Sequence, residues 1–524
     1  MHAGRVYSPG NPDAQSFVVH NGQFVWIGDR VAARTYEVDV DRIVDLQEAF
    51  VAPAFVDAHA HVSATGFQLT QLDLSACDSA SQALEALRTY CASAPESVEH
   101  ILGTGWDDAR WQDADLWTTE RLTHIIGNRF LYLSRIDLHS AFCSVNLADS
   151  FEGNPYAIQR ISGDEHERVR ERMLATITPQ QRARAIESAL SHAASKGIVA
   201  VHEHGGPGIA GEGDFTQLLK SASNPHSVQV FGYWGSSNLD EVRALGAFGA
   251  GGDLCVDGSL GSHTALLAEP YQDARGYGVC YLDENGIAQH LIEATQAGIQ
   301  TGFHAIGDKA LGLVVAGLQK AAMVCGDSAI RAMRHRVEHA ELVSTADLPE
   351  LARLGVVLSM QPSFDAIWGG VGGMYEQRLG RERSLHMNPF AEVSTHGIVM
   401  AFGSDSPVTL MNPWQSIQAA TFHHNPNQRI SARAAFAAHT RGGWRAVHDD
   451  VAGVIAVGAP AHFVAWNVEH YTIDVPDQRK VAWSVDPRSG TPELPDVRQE
   501  VPQAILTVRA GNALYDPQKV WTGA

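Results

Sequence analysis

The sequence predicts an α/β protein whose largest part is an eight-stranded (β/α)8 TIM barrel. Short apolar segments recur along the chain, and most are apolar on both faces, as strands buried in a parallel sheet are. Helical patterns separate these segments, which favours the strand–helix repeat of a barrel. The predicted strands are 54–62, 197–206, 227–235, 253–261, 299–308, 334–342, 355–363 and 397–407.

The clearest predicted helix follows Thr178, which is suited to be its N-cap. Pro179 fits the first turn, Gln181 completes a capping box, and Gly197 is suited to end the helix. Its predicted apolar stripe comprises Ile186, Ala189, Leu190 and Ala193.

Two regions depart from a bare barrel. Both chain ends contain short alternating segments, including an Asn21-Gly22 turn and RIVDL at 42–46, which predict one small composite β-domain. About 130 residues separate the first two barrel strands, which predicts a large insertion after strand one. The predicted boundaries are 1–52 and 451–524 for the composite β-domain, 53–64 for the first strand, 65–175 for the insertion or cap lobe, and 176–450 for the remaining barrel.

Composition excludes several classes of partner. The 524 residues carry a formal charge of -21, which argues against nucleic acid and anionic membranes. The six cysteines are scattered without a CxxC pair, no apolar run has membrane-spanning length, and the start lacks a signal-peptide pattern. We therefore expect a cytoplasmic protein that acts on a small molecule, with a homodimer as the default assembly.

The segment VDAHAHV at 56–62 ends the first predicted strand. In a strand, His59 and His61 point to the same face, with the small Ala60 turned away. Two converging imidazoles suit a transition metal, although a pair of hydrogen-bonded histidines at a strand end would show the same pattern.

Further polar residues end other predicted strands, at the edge where barrel enzymes hold their chemistry. Taken one at a time, each has a structural explanation, such as a core histidine or a helix cap. Together they favour a metal centre. These residues are Glu203, between His202 and His204, on strand two, Asp253 and Asp257 on strand four, His304 on strand five, His339 on strand six and Asp405 on strand eight.

In this order, the motifs HAH, FHAIGD, RHRVEHAEL, SMQPS and FGSDSP, with DGSLGSHTALLAEPY and GWDDARW, resemble the amidohydrolase superfamily. The resemblance is to its "amidohydrolase 3" branch, which includes N-substituted formamide deformylases, and it runs from about residue 15 to 516. It implies a metal-dependent hydrolase of carbon–nitrogen bonds in amides, ureas and cyclic imides.

The resemblance also implies roles for individual residues. His59, His61, His304, His339 and Asp405 would bind the metal, and His304, His339 and Asp405 would be catalytic, with Asp405 as general base. A divalent ion lowers the pKa of bound water towards about 7, and a nearby carboxylate can pass the proton to the leaving nitrogen. Imidazole ligands favour one or two zinc ions, although Fe, Mn, Ni and Co are chemically admissible.

One position departs from the family pattern. Many two-metal members bridge their ions with a carboxylated lysine four residues before the aspartate of DGS, and here that residue is Asp253. No lysine occurs from 221 to 308, so no carboxylated lysine is expected there. Aspartate is too short to substitute unless the backbone shifts. The alternatives are a single-metal or loosely two-metal site, which we favour, a bridge from Glu203, Glu167 or Asp253, or a weakened site.

Substrate contacts are predicted in two regions. The DGSLGSH loop after strand four offers Asp257, Ser259 and His263, although a turn stabilised by its own side chains would look the same. The insertion offers Trp106, Arg110 and His139, which would otherwise form that lobe's own core.

Two other functions remain open alongside C–N hydrolysis. Asp253 in place of lysine suggests a non-catalytic or regulatory descendant of the fold, with a weakened metal site. A ring deaminase on the same scaffold is the third hypothesis.

Overall fold

The computed structural model describes residues 1–521 except 94–99, 109–110, 137–139, 145–155, 208, 210, 473–492 and 500. The chain folds into two compact units. One comprises residues 1–61, 190–206 and 219–524, and the other comprises residues 62–189 and 207–218.

The first unit contains an eight-stranded, all-parallel sheet that forms a nearly closed TIM barrel, which confirms the predicted fold class. The first and eighth strands meet through a parallel bridge between Ala60 and Ser406. The strands are Phe55–Ala60, Ile198–Gly205, Gln229–Trp234, Gly249–Ala250, Gln300–Ala305, Arg336–His339, Val357–Met360 and Val399–Phe402.

The predicted position of strand four, 253–261, is wrong. The strand is only Gly249–Ala250, and it ends at Gly251 and Gly252, whose φ angles of 108° and 86° leave the extended region. The DGS segment is a loop gathered around Asp257, whose carboxylate accepts hydrogen bonds from the backbone N–H groups of Leu266, Ile306 and Gly307 at 2.8–3.0 Å. The short apolar run 254–256 resembles a buried strand because this loop is itself partly buried.

Helices connect the strands. The capping box of Pro179–Ser195 is confirmed, because the Thr178 backbone N–H donates to Gln181 Oε1 (3.0 Å) and the Gln181 N–H donates to Thr178 Oγ1 (3.2 Å). The predicted stripe on this helix is buried. The other α-helices from residue 212 onward are Glu212–Ala222, Leu239–Ala244, Glu284–Gln296, Asp308–Cys325, Asp327–Met333, Leu348–Arg353, Pro362–Trp368, Met374–Leu379, Arg381–Ser384, Phe390–Thr395, Pro413–Thr421, Ala432–Ala437 and Gly443–Ala446.

A second sheet of the first unit takes strands from both ends of the chain. Arg5–Val6 and Phe50–Pro53 join Phe463–Asn467, Gln503–Arg509 and Asn512–Tyr515. The predicted hairpin is also present: Asn21 and Gly22, with φ of 49° and 74°, connect Ser16–His20 to Gln23–Gly28, as a two-residue turn requires. The predicted strand at 42–46 is wrong, because only Asp45 pairs there, in an isolated bridge to His2.

The second unit has its own sheet and core. Its sheet takes strands Leu72–Asp73, His100–Trp106, Phe130–Arg135, Ser140–Ser144 and Ile158–Ser162. Its helices are Val62–Thr70, Ala80–Ser93, Thr119–Ile126 and Gly163–Thr176. Buried residues such as Leu87, Ile101 and Leu133 form its core.

In the residues the structure describes, no single helix is both long and apolar enough to cross a membrane. One sharply bent pair, Asp308–Cys325 with Asp327–Met333, passes on length and composition alone.

Candidate metal centre

Five predicted ligands and neighbours meet at the C-terminal edge of the barrel strands. We call His59, His61, Asp253, His339 and Asp405 the rim group. Two overlapping sets of potential ligand atoms occur within it, each with all atoms within 4.8 Å of one another. These sets are His59, His61 and Asp405, and His59, Asp253 and His339.

The Asp405 carboxylate lies between the two histidines of the HAH motif. Its Oδ1 is 3.3 Å from His59 Nε2 and 3.1 Å from His61 Nε2. Two backbone hydrogen bonds also join these segments. The Asp405 N–H donates to the His59 carbonyl (2.7 Å), and the His61 N–H donates to the Ser406 carbonyl (2.8 Å). Closure of the barrel therefore brings together residues almost 350 positions apart.

Asp253 reaches the same place from strand four. Its Oδ2 is 3.5 Å from His59 Nε2 and 3.4 Å from His61 Nε2, and its Oδ1 is 3.7 Å from His339 Nε2. Although the aspartate side chain is short, the turn at Gly251 and Gly252 places the Asp253 carboxylate at the rim.

The orientations of three imidazoles fit a bound cation. The Nδ1 of His59 is 2.9 Å from Glu338 Oε2, that of His61 is 2.8 Å from the His204 carbonyl, and that of His339 is 3.0 Å from Gln361 Oε1. Because those oxygens accept hydrogen bonds, each Nδ1 is the donor. When neutral, each ring therefore presents the lone pair of its Nε2 to the rim, as a metal requires.

Two buried atoms at the rim also have no hydrogen-bond partner, namely His59 Nε2 and Asp253 Oδ1. Buried polar atoms are normally satisfied, so such orphans need an explanation. Imidazole nitrogens and carboxylate oxygens are suitable ligands for zinc and related divalent ions. The residues present therefore fit a divalent cation.

Electrostatics keep the rim carboxylates ionised. Burial alone would raise the pKa of Asp253, but the nearby imidazoles of His59, His339 and His61 hold that pKa well below its ordinary value. Burial likewise opposes the ionisation of Asp405, yet the nearby imidazoles of His59 and His61 lower its pKa. Both side chains can therefore act as anionic ligands or proton acceptors at neutral pH.

Backbone strain is concentrated at the same rim. His339, Ala340 and Asp405 have φ of 70°, 48° and 55°, the left-handed region that residues other than glycine rarely adopt. Such conformations cost on the order of 1–3 kcal/mol each and cluster at functional sites. His339 ends strand six and Ala340 follows it, whereas Asp405 lies three residues after the end of strand eight. At these points the side chains of His339 and Asp405 turn towards the rim.

A second charged cluster adjoins the rim, and we call Arg336, Glu338, His202 and His204 the inner group. Arg336 Nε donates to Glu338 Oε1 (2.8 Å) and its Nη2 donates to Oε2 (3.0 Å). Its other contacts are with His202 Nδ1 (2.8 Å) and the Ala58 carbonyl (2.7 Å), and its guanidinium lies 4.5 Å from the centroid of the Tyr233 ring.

The inner group connects to the rim through His59. The His59 ring stacks on that of His204 with centroids 3.9 Å apart, and its Nδ1 contacts Glu338. His59, His204 and Glu338 also form a compact set of potential ligands. Arg336 already supplies a cation to this carboxylate, so we interpret the inner group as support for His59.

No role was predicted from the sequence for Arg336 or Glu338. The RVEH segment carried a usable signal: Arg336 and Glu338 are two apart on one strand, so their side chains share a face. Conversely, Glu203 was predicted from the sequence as a possible bridging ligand, whereas its neighbours His202 and His204 belong to the inner group.

Glu203 does not reach the rim. It alternates with His202 and His204 on strand two and pairs in register with Ala60, so it lies on the face opposite these histidines. Glu167 belongs to the helix Gly163–Thr176, and its side chain lies outside the described structure. Of the three candidate bridging carboxylates, only Asp253 is observed at the rim.

His304 lies beside the rim but outside both ligand sets. Its ring packs edge-on against His339 with centroids 4.5 Å apart, and its Nδ1 is 3.5 Å from Asp257 Oδ1. Its predicted role as a metal ligand and catalytic residue remains a prediction.

Two of the predicted substrate contacts are fully buried and make structural contacts. The Asp257 carboxylate ties its loop to the segment after strand five, because it accepts hydrogen bonds from the N–H groups of Leu266, Ile306 and Gly307. Trp106 is also fully buried, its indole N–H donates to the Leu133 carbonyl, and it belongs to the core of the second unit.

The other predicted contacts have different outcomes. Ser259 Oγ lies 3.2 Å from Ser262 Oγ, and the partly exposed His263 contacts Asp273 at 3.0 Å, so both remain predictions. Arg110 and His139 lie outside the described residues.

Comparisons with known proteins identify the family of this chain. The sequence profile of the amidohydrolase family matches residues 42–515. The chain is 26% identical to Protein LONG AFTER FAR-RED 3 of Arabidopsis thaliana, covering 86% of this chain and 84% of that protein. It is 19% identical to the N-substituted formamide deformylase of Arthrobacter pascens, covering 83% of this chain and 86% of the deformylase.

A solved structure shows the same architecture. It is an uncharacterized metal-dependent hydrolase from Pyrococcus furiosus, with a TM-score of 0.71 and 25% identity, covering 89% of this chain and 97% of that one. With the family profile matching most of the sequence, this chain belongs to the amidohydrolase family and is a metal-dependent hydrolase.

Proposed function

We propose that this protein hydrolyses a non-peptide carbon–nitrogen bond of a small amide, formamide, urea or cyclic imide. The observation that carries the proposal is the position of Asp405, an ionised carboxylate 3.1–3.3 Å from the Nε2 atoms of two histidines at the barrel rim. The name of the Arthrobacter relative, an N-substituted formamide deformylase, supports this class of substrate.

The rim group would hold the cation through His59, His61, Asp253, His339 and Asp405, with His304 as a further candidate. Zinc suits this mixture of imidazole and carboxylate ligands best. When bound, a divalent cation supplies a Lewis acid that activates water and polarises the carbonyl group under attack.

The protein's own residues then manage the proton. Asp405 accepts it from the attacking water and returns it to the departing nitrogen, which is necessary because an amine anion is a very poor leaving group. The Nδ1 contacts to Glu338, the His204 carbonyl and Gln361 hold His59, His61 and His339 in one tautomer each. Asp405 consequently works beside imidazoles that cannot easily reorient.

The experiment is an assay of the zinc-loaded full chain against N-substituted formamides, N-acyl amines, ureas and cyclic imides, following release of amine or ammonia. Aminated heterocyclic rings form a separate arm. Hydrolysis in the first panel, lost in Asp405→Asn with metal content retained, is the expected result. Asp365→Asn is the matched control, because Asp365 is a buried carboxylate that contacts His423 and His424 and lies outside the rim group.

Two results would contradict the proposal. Turnover only of aminated rings would favour the deaminase hypothesis. If metal-loaded, folded protein hydrolysed nothing in either panel, the chain would be better described as a non-catalytic descendant of the family.

A further inference from the structure

We propose that Asp253 is a ligand shared by two cations, in place of the carboxylated lysine of many family members. This inference deepens the proposed function and rests on the metal centre within it. Its basis is the backbone path at Gly251 and Gly252, together with the two directions in which the carboxylate oxygens of Asp253 face.

The backbone path depends on Gly251 and Gly252. Both have positive φ. A Cβ on Gly251 would lie 2.2 Å from the Gly302 carbonyl oxygen, and one on Gly252 would lie 2.2 Å from His204 Nδ1. The chain therefore runs closer to its neighbours than any side chain would permit. This close approach carries the short side chain of Asp253 into the rim group.

The two oxygens of Asp253 contact different histidines. Oδ2 faces His59 and His61 at 3.5 and 3.4 Å, whereas Oδ1 faces His339 at 3.7 Å and has no hydrogen-bond partner. A carboxylate that uses one oxygen towards each of two ligand sets has the arrangement of a bridge. Because His59 Nε2 can bind one cation only, it would serve the first position with His61 and Asp405, and the second position would take His339, with His304 beside it.

The inner group does not supply a further cation position. Glu338 could in principle support a third cation with His59 and His204. Both of its oxygens, however, already accept hydrogen bonds from Arg336, and His59 contacts it through Nδ1. The inner group therefore offers no further position, whereas at the rim the two oxygens of Asp253 face different histidines.

Metal stoichiometry tests the inference directly. Metal-free protein would be saturated with zinc, passed through a desalting column and analysed by elemental mass spectrometry. We expect two ions per wild-type chain and one in Asp253→Asn, whose single carbonyl oxygen cannot serve both positions. Asp365→Asn should retain two. One ion in the wild type, or two in Asp253→Asn, would overturn the inference.

A second measurement does not depend on the variant folding. Metal-free wild-type protein would be titrated with Co²⁺ and followed by electron paramagnetic resonance. A carboxylate bridge couples the two spins, so the signal per ion should fall as the second equivalent binds. A signal that simply doubles would count against a shared ligand.

Carbon dioxide separates the two bridging chemistries. A carboxylated lysine requires CO₂, whereas an aspartate does not, so the stoichiometry should be the same in CO₂-free and bicarbonate buffers. A second ion that appears only with bicarbonate would assign the bridge to a lysine and overturn the role of Asp253. None of these measurements uses a substrate, so their failure is distinguishable from failure of the proposed hydrolysis.

Discussion

The rim group and the inner group both bury charge in the same barrel, but they satisfy it differently. In the inner group, Glu338 receives two hydrogen bonds from Arg336, so the protein supplies its own cation. In the rim group, Asp253 Oδ1 and His59 Nε2 have no hydrogen-bond partner. The contrast lies in the carboxylates, because His202 Nε2 and His204 Nδ1 of the inner group also lack a hydrogen-bond partner. A buried carboxylate that the chain pairs with its own cation indicates support, whereas one left with an unsatisfied oxygen indicates a place for a ligand.

His59 belongs to both groups and shows how they are related. Its Nδ1 contacts Glu338 of the inner group at 2.9 Å, and its Nε2 lies within 3.5 Å of Asp253 and Asp405 at the rim. Disturbing the rim should therefore alter chemistry and metal content. Disturbing the inner group should first alter folding and the affinity for metal.

The largest expected effect is at Asp405. Asp405→Asn should lower kcat by about 10²–10⁴-fold, the usual contribution of a positioned acid or base, because an amide cannot accept the proton. Metal content should change little, since one oxygen remains to face His59 and His61. Steady-state kinetics with elemental analysis measures both quantities. If activity were retained, Asp405 would not be the proton acceptor.

Next in size is the loss of the inner cation. Arg336→Met should lower the free energy of unfolding by about 3–5 kcal/mol, because the fully buried Glu338 carboxylate loses its cation and two hydrogen bonds and retains the one from His59 Nδ1. Urea denaturation of metal-free protein measures this change. The double variant Arg336→Met/Glu338→Gln should recover part of the loss. A single-variant effect below about 1 kcal/mol would contradict the proposed pairing.

Removing metal should have a smaller effect on stability. At free zinc one hundred times its Kd, binding to the folded state alone contributes about 2.7 kcal/mol, which a chelator would remove. Urea denaturation with and without zinc would measure the difference. The difference should shrink in His59→Ala, which removes a member of both ligand sets. An equal difference in both proteins would place the bound zinc elsewhere.

The smallest predicted effect concerns the contact between the groups. Glu338→Gln should weaken metal binding by about 10–100-fold, as loss of a hydrogen-bond partner of a ligating histidine commonly does. Chelator competition on protein shown to be folded by circular dichroism measures it. Glu341→Gln is the matched control, since Glu341 is also buried but accepts its hydrogen bond from Tyr375. If metal binding were weakened equally in both variants, Glu338 would have no specific role in supporting His59.

Much of the fold and part of the site followed from local sequence patterns. The HAH spacing predicted that His59 and His61 share a face, because strand geometry depends only on neighbouring residues. The Thr178–Gln181 capping box and the Asn21-Gly22 turn were confirmed for the same reason. The predicted position of strand four was wrong because the observed strand is only two residues long and contains a glycine. The partly buried loop after it has a short apolar run like that of a strand.

The sequence by itself determined the barrel, the order of its strands and which polar residues lie near their ends. The reason is that strand and helix periodicity depend on only a few neighbouring residues. Only the tertiary structure decided that Asp253 enters the rim, that Glu203 faces away from it, and that Arg336 and Glu338 support His59. Those outcomes depend on two positive φ angles and on contacts between residues hundreds of positions apart, which arise only when the sheet nearly closes on itself.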